Sequence, residues 1–184
     1  TYLDKNNTKK YIKNKKQTKV GKKTDITTYF KEVQSQMEKI GLNVRSDVNI
    51  KILNKNELVK ECNSYFYVGC AVSPNNIYIL DGFLESEFKG ILAHEMTHIW
   101  QYQNNMGRWL TKINKEGLAE LVQAHILKMD STNYFNKVPN FYHRSNGKII
   151  SKRNKPYVLG YQKLKNYLDY YGWEKLIQGY SMYF

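Results

Sequence analysis

The sequence has few cysteines and no long apolar run. Only two cysteines, Cys62 and Cys70, occur in 184 residues, too few for a zinc knuckle, and their spacing fits no standard metal motif. The two thiols are either reduced and buried or bridged, and the sequence leaves both states open. No stretch approaches the roughly 18 apolar residues of a transmembrane helix, so we expect no membrane span.

No secretory signal core is visible within the chain. The chain opens at Thr1 rather than at Met, so we expect that an upstream segment has been removed. We therefore weakly favour a secreted protein, although the sequence does not determine the compartment. The sequence does not indicate an oligomeric state.

Positive charge is concentrated at one end of the chain. The formal net charge is +13, and residues 1–24, with nine lysines and one aspartate, contribute +8 of it. A basic tail can bind nucleic acid or anionic membranes. It is more often a solvated segment, and only Tyr2 and Tyr11 supply aromatic rings there. We therefore expect a flexible basic tail over 1–24, a single domain over 25–184, and no nucleic-acid partner.

Apolar periodicity predicts an α+β domain with a short, mainly antiparallel sheet. Stripes at helical spacing alternate with short β-branched and aromatic runs bounded by turn residues. The expected elements are a helix over 28–40, a strand over 48–52, a hairpin of strands 65–72 and 77–80, a helix over 85–104, an antiparallel helix over 115–128 capped by Asn114, and a C-terminal helical pair divided at Gly172.

The expected helix over 85–104 carries the motif His94-Glu95-Met96-Thr97-His98. Residues four apart lie one turn above each other on a helix, so His94 and His98 can offer two imidazole nitrogens to one ion. Glu95 could then reach a water on that ion as general base, as in zinc hydrolases. Taken singly, each histidine is more often a surface or core residue, and a helical glutamate is usually solvated.

Glu95 is expected to be buried rather than solvated. It falls inside the apolar arc of its helix, which consists of Phe88, Ile91, Leu92, Met96 and Ile99. A buried carboxylate is costly unless a polar partner meets it. A metal-bound water would be such a partner.

A catalytic zinc ion usually has three protein ligands and one open position. Glu116 lies 18 residues after His98, enough to leave one helix, turn and enter an antiparallel neighbour. We predict that Glu116 is the third ligand and that Glu120, one turn further on, accepts the free N–H of a ligand histidine. The competing interpretation of Glu116 is a carboxylate that merely favours a helix N-terminus.

Hydrolysis of a peptide bond also needs a donor that stabilises the tetrahedral oxyanion. The candidates in this sequence are Tyr142, His143, Tyr157 and Tyr161. Each competes with a simpler interpretation, because most tyrosines are core or surface residues.

Two motifs give the chain a resemblance to a known family. Residues 92–100 read Leu-Ala-His-Glu-Met-Thr-His-Ile-Trp, and Glu116-Gly117-Leu118 follows on the next expected helix. Together they resemble the gluzincin metallopeptidases. The fuller pattern is more similar to the C-terminal peptidase domain of the plant ubiquitin-activated peptidases that limit organ size, and to their bacterial relatives. The hairpin before the motif helix and Tyr171-Gly172 near the end also fit that family.

The resemblance implies a small zincin-like domain in which His94, His98 and Glu116 bind one zinc ion and Glu95 is catalytic. It also implies that an edge strand beside the active-site helix, either 65–72 or 77–80, pairs with an extended peptide substrate. The plant proteins carry ubiquitin-interacting segments and LIM modules upstream. This chain matches neither, so ubiquitin control is not implied.

The favoured function is a zinc endopeptidase. One competing hypothesis is a non-catalytic binding module, with metal as a structural staple or with the basic tail contacting an anionic partner. Another is a peptidase-fold regulator whose cleft is closed by its own tail. A structural zinc ion takes four protein ligands, and only three candidates are evident here, which favours catalysis.

Overall fold

Helices surround a small sheet in the part of the chain that the structure describes. The computed structural model describes residues 18–72, 74–106, 110–129 and 155–183. Its elements confirm the predicted α+β class. In chain order they are α1 (Thr27–Glu38), β1 (Asn49–Leu53), α2 (Lys55–Cys62), β2 (Gly69–Val72), β3 (Asn76–Leu80), α3 (Glu85–Gln103), α4 (Lys112–Ile126) and α5 (Lys155–Tyr183).

The sheet has the strand order β1-β3-β2. β2 and β3 form the predicted hairpin, with Gly69 opposite Ile79 and Val72 opposite Asn76. β1, however, runs parallel to β3, with Asn49 opposite Asn76. The expectation of a mainly antiparallel sheet is therefore wrong. The connection from β1 to β3 contains α2 and β2 and is long enough to let the two strands run in the same direction.

This order places β3 in the centre of the sheet and β2 at one edge. Because residues 77–80 are paired on both sides, they cannot add a substrate strand, and that expectation is wrong. Of the two stretches expected to pair with substrate, only 65–72 contributes an edge strand. The strand itself is shorter than expected, Gly69–Val72, and it packs against α3.

Helix α3 is the centre of the domain. Its side chains from Phe88 to Gln101 are nearly all buried, because the helix packs against the sheet and against both α1 and α4. Buried residues of β3 and of the described helices other than α2 belong to one hydrophobic core. None of the described helices has a stretch long and apolar enough to cross a membrane.

Helix α4 begins earlier than predicted. Thr111 is its N-cap, and its side-chain oxygen accepts a hydrogen bond from the Asn114 backbone N–H at 3.3 Å. Asn114, predicted to be the cap, is a buried residue of the first turn, so that prediction is wrong. The helix is otherwise where the apolar pattern placed it, with Leu118, Leu121 and Val122 in the core.

Helix α5 contains the break predicted for the C-terminal helical pair. Gly172 has a φ of 78° and a ψ of 171°, and two helices meet at this kink. Only glycine adopts such a backbone conformation without steric cost. Before the kink, α5 packs closely along α4, and the two backbones approach each other at Gly117 and Gly160.

The end of the predicted basic tail packs on the domain. Val20 is only 1% exposed, its N–H donates to the Phe83 carbonyl, and its own carbonyl accepts from Gly82 N–H, both at 2.8 Å. The expected tail boundary at residue 24 is therefore wrong for residues 18–24. The remainder of that segment lies outside the described residues.

The two cysteines are bridged. Cys62, the last residue of α2, and Cys70 in β2 form a disulfide with their Cα atoms 5.9 Å apart. The bridge closes the loop 63–69 and ties the edge strand to α2. Of the two states that the sequence leaves open, the structure contains the oxidised one.

We expect Gly117→Ala to lower the melting temperature. A Cβ atom at this position would lie 2.6 Å from the Gly160 Cα, so one helix would have to move. In a helix interior the same change normally stabilises by up to about 1 kcal/mol, whereas overpacking costs about 1–3 kcal/mol. Helix propensity thus predicts a higher melting temperature and overpacking a lower one. We expect the cost of overpacking to be the larger effect.

The measurement is thermal unfolding followed by circular dichroism. Gly21→Ala is the matched control, because a Cβ at Gly21 meets nothing within 4 Å. A melting temperature for Gly117→Ala equal to or above that of the unchanged protein would contradict the close approach of α4 and α5.

Candidate metal centre

Helices α3 and α4 bring His94, His98 and Glu116 together, as the sequence predicts. The two histidine Nε2 atoms are 3.2 Å apart. Glu116 Oε2 lies 3.5 Å from His94 Nε2 and 3.4 Å from His98 Nε2. Among the described residues, this is the group whose ligand atoms are close enough to share one metal ion.

These separations fit a tetrahedral zinc ion. Ligand bonds of about 2.0–2.1 Å at tetrahedral angles place neighbouring ligand atoms roughly 3.3 Å apart. The three observed separations, 3.2, 3.4 and 3.5 Å, all lie close to this value. The three side chains can therefore hold one face of a coordination tetrahedron without rearrangement.

A hydrogen-bond chain fixes the ring of His98. Its Nδ1 lies 3.0 Å from Gln101 Oε1, and the Gln101 amide nitrogen donates to the Lys115 carbonyl and to the Tyr180 hydroxyl. That hydroxyl in turn donates to the Asn114 carbonyl at 2.8 Å. Since the amide oxygen can only accept, the His98 proton sits on Nδ1, and the Nε2 lone pair faces the centre.

Glu120 occupies the corresponding position beside His94. Its Oε1 lies 3.5 Å from His94 Nδ1, and both side chains are buried. Glu120 therefore lies on the Nδ1 side of His94, and its role as acceptor of the His94 N–H stays a prediction. The Nε2 atoms of both rings and the Glu116 carboxylate face the same small volume. Three electron-rich atoms this close together, in a largely buried site, require a cation or a proton between them.

The pKa values of the metal-free centre reflect this requirement. Burial lowers the pKa of His94, but the hydrogen bond to Glu116 and the charges of Glu120 and Glu95 outweigh it and raise that pKa to about 9. Burial likewise opposes the charged form of Glu116, yet its hydrogen bonds to His94 and His98 hold its pKa well below the ordinary range. The metal-free centre therefore retains a proton at neutral pH.

Glu95 lies beside the centre and outside the group of three ligands. It is 5% exposed, and burial, reinforced by the charge of Glu116, raises its pKa although His94 and His98 and the Ala71 N–H hydrogen bond act to lower it. A Cβ atom on Gly69 would lie 3.1 Å from Glu95 Oε1. The edge strand β2 therefore donates a backbone hydrogen bond to the Glu95 carboxylate, and the missing side chain of Gly69 leaves room for that carboxylate.

The oxyanion candidates have different positions. The ring of Tyr157, in the first turn of α5, stacks on the ring of His94 with a centroid distance of 6.4 Å and an interplanar angle of 26°. Burial, followed by the charge of Glu116, raises the pKa of its hydroxyl, which stays protonated. Tyr161 is buried in the hydrophobic core, which favours a packing role. Tyr142 and His143 lie outside the described residues.

Three residues near the centre are not among those predicted from the sequence. Gln101 and Tyr180 form the hydrogen-bond chain behind His98. Tyr102 lies one turn after His98 on α3, and burial and the charges of Glu95 and Glu116 raise its pKa. Helical spacing from His98 could have identified Gln101 and Tyr102, at i+3 and i+4. Tyr180 carries no such signal.

No protein-family model matches the chain, and neither a curated protein nor a solved structure matches it.

We expect His94→Ala to lose zinc. The unchanged protein, dialysed after zinc loading, should retain about one ion per chain, and the variant should retain little. Elemental analysis measures both. His125→Ala is the matched control, because His125 is on α4 but its ring packs against Trp173. Undiminished zinc in His94→Ala would contradict the proposed ligand set.

Zinc affinity should rise with pH. The His94 pKa of about 9 means that zinc must displace a proton at neutral pH. The apparent affinity should increase by up to about tenfold per pH unit, the slope for one displaced proton, from about pH 7 and level off near pH 9. Competition with a chromophoric chelator, corrected for the chelator's own protonation, measures the slope. A flat profile over this range would contradict proton displacement.

Proposed function

We propose that this chain is a zinc-dependent peptidase in which His94, His98 and Glu116 bind the metal and Glu95 is the general base. The observation that carries the proposal is the geometry of the centre. Three ligand atoms lie at tetrahedral separations, and the buried carboxylate of Glu95 stands beside them in another hydrogen-bond environment. The resemblance of the motifs to gluzincin peptidases supports the same assignment.

When bound, zinc lowers the pKa of a coordinated water and polarises the substrate carbonyl. Glu95 takes the proton of the attacking water and passes it to the leaving amine nitrogen. Its raised pKa suits this transfer, because a base that titrates nearer to neutral pH can both accept and return a proton. The Ala71 N–H bond holds the carboxylate in place during both steps.

Tyr157 is the best-placed of the proposed oxyanion donors. Its ring stacks on His94, and its hydroxyl stays protonated because burial and neighbouring acidic groups raise its pKa. A neutral phenol can donate a hydrogen bond to an oxygen that becomes negative, which is the requirement for stabilising the tetrahedral state. We assign this role to Tyr157 rather than to Tyr161, which is buried in the core.

The proposed substrate is an extended peptide or protein segment that pairs with β2. This strand is at an edge of the sheet and packs against α3. An antiparallel or parallel addition to such an edge supplies main-chain hydrogen bonds that do not depend on the substrate's side chains. Because Ala71 in β2 contacts Glu95, a peptide on this edge would pass close to the general base.

A structural zinc site is the strongest competing function. Such a site takes four protein ligands, whereas the described residues bring three ligand side chains together at this centre. Two further hypotheses, binding of an anionic partner by the basic tail and closure of the cleft by that tail, depend on residues 1–17, which lie outside the described part of the chain. The catalytic assignment rests on contacts among described residues.

We expect Glu95→Gln to bind zinc normally and to lose peptide cleavage. The amide cannot accept the proton of the attacking water, and loss of a general base typically costs about 10²–10⁴-fold in rate. Cleavage of a quenched fluorescent peptide pool and zinc content by elemental analysis are the two measurements. Glu38→Gln, an exposed residue at the end of α1, is the control. Cleavage by Glu95→Gln at the unchanged rate would refute the assignment of the base.

A further inference from the structure

Three consecutive aromatic side chains are exposed in the loop between α2 and β2. Tyr65, Phe66 and Tyr67 are 70%, 54% and 41% exposed. Adjacent exposed aromatic rings are costly in water, and contiguous apolar patches usually mark a binding surface. We call residues 63–68 the aromatic loop.

The aromatic loop is held in place at both ends. The disulfide between Cys62 and Cys70 closes it. Within it, Lys55 Nζ donates to the Tyr67 carbonyl at 3.1 Å, and the Val68 carbonyl accepts from Leu80 N–H at 2.8 Å. A loop whose backbone is fixed presents its rings with little loss of entropy on binding, which favours recognition.

The aromatic loop is continuous with the metal centre. It leads directly into β2, whose first residue, Gly69, leaves the space that Glu95 fills. Tyr67 is also close enough to Tyr157 to contribute to the raised pKa of that residue, and Tyr157 stacks on the ligand His94. The exposed rings therefore stand next to the site.

We propose that the aromatic loop binds an aromatic or large apolar side chain of the peptide substrate, with Tyr67 as the main specificity-determining residue. The proposal rests on the peptidase function proposed above. A peptide that pairs with β2 as an added strand also runs alongside the aromatic loop, which directly precedes β2. The Val68 carbonyl still accepts from Leu80 N–H, so Tyr67 directly precedes the first paired residue of this edge, where a substrate side chain can reach its ring.

A peptide occupant is favoured over a second copy of the chain or a lipid surface because of this continuity. The three rings share their backbone with the strand that contacts Glu95. A surface for dimerisation or membrane contact has no need for that proximity. Tyr170, by contrast, is 80% exposed on α5 beside the Gly172 kink, in a different helix from the ligands.

The test uses zinc-loaded Glu95→Gln, which should bind peptides without cleaving them. A set of short peptides carries a single Phe at successive positions of a Ser/Ala/Lys background, and the all-background peptide is the reference. Fluorescence anisotropy gives each Kd. We expect one or two Phe positions to tighten binding by about tenfold, the gain typical of burying one aromatic side chain against aromatic rings.

Substitutions in the aromatic loop then show which ring is responsible for the tighter binding of Phe peptides. Tyr67→Ala on the same background should reduce the Phe preference to less than about twofold, and Tyr67→Phe should keep it, because the ring and not the hydroxyl makes the contact. Tyr170→Ala is the matched control and should leave the preference unchanged. Since Tyr67 is partly exposed, Tyr67→Ala should fold, and thermal unfolding checks this.

The outcomes separate the two proposals. If Glu95→Gln shows the Phe preference and Tyr67→Ala removes it, the loop binds aromatic side chains of peptides. If the unchanged protein then cleaves no peptide, the peptidase assignment fails and the loop is a peptide-binding site rather than a substrate subsite. If the unchanged protein cleaves peptides but shows no Phe preference, or if Tyr67→Ala keeps the preference, the loop proposal is overturned. It is also overturned if Tyr67→Ala alters only the oligomeric state on size-exclusion chromatography or only the binding to lipid vesicles.

With cleavage, the kinetics give a further readout. Tyr67→Ala should raise KM for the preferred Phe peptide by about tenfold while kcat changes by less than about twofold, because a side-chain subsite of this kind contributes to ground-state and transition-state binding alike. A fall in kcat with unchanged KM would instead place Tyr67 in the catalytic machinery and would refute its role as a specificity residue.

Discussion

The centre depends on one electrostatic constraint, the convergence of three electron-rich atoms. The Nε2 atoms of His94 and His98 and a carboxylate oxygen of Glu116 lie within 4.8 Å of one another, and Gln101 Oε1 lies behind the ring of His98. Such a cluster is unfavourable without positive charge at its centre. The hydrogen bond to Glu116 and the charges of Glu120 and Glu95 accordingly raise the pKa of His94 to about 9, although burial lowers it.

The surrounding fold keeps these atoms converged. Gln101 and Tyr180 connect α3, α4 and α5 by hydrogen bonds behind His98. On the opposite side, β2 holds Glu95 through Ala71, and the disulfide ties β2 to α2. The Glu95 carboxylate is thus positioned by β2 as well as by α3, on which it lies, whereas His94, His98 and Glu116 are positioned by helices alone. A substitution in β2 can therefore disturb Glu95 without disturbing the other three residues.

Local patterns in the sequence predict the helices and the centre well. The helix over 85–104, the two histidines at i and i+4, and Glu116 on the following helix are all set by periodicity and spacing within about 30 residues. The parallel pairing of β1, the burial of Val20 and the role of Tyr180 depend on contacts between distant segments. Nothing in the neighbouring residues encodes those contacts. The disulfide falls between these cases, because spacing allowed it but only the packing of β2 beside α2 brings the sulfurs together.

The absence of side chains at Gly117 and Gly160 has a mechanical consequence. Where the two backbones touch, neither helix can slide or rotate without a collision. Glu116 and Tyr157 stand within three residues of this contact, so their relative position is locked. On the other side of the centre, the disulfide joins β2 and the aromatic loop to α2, so these three parts can move only as one piece.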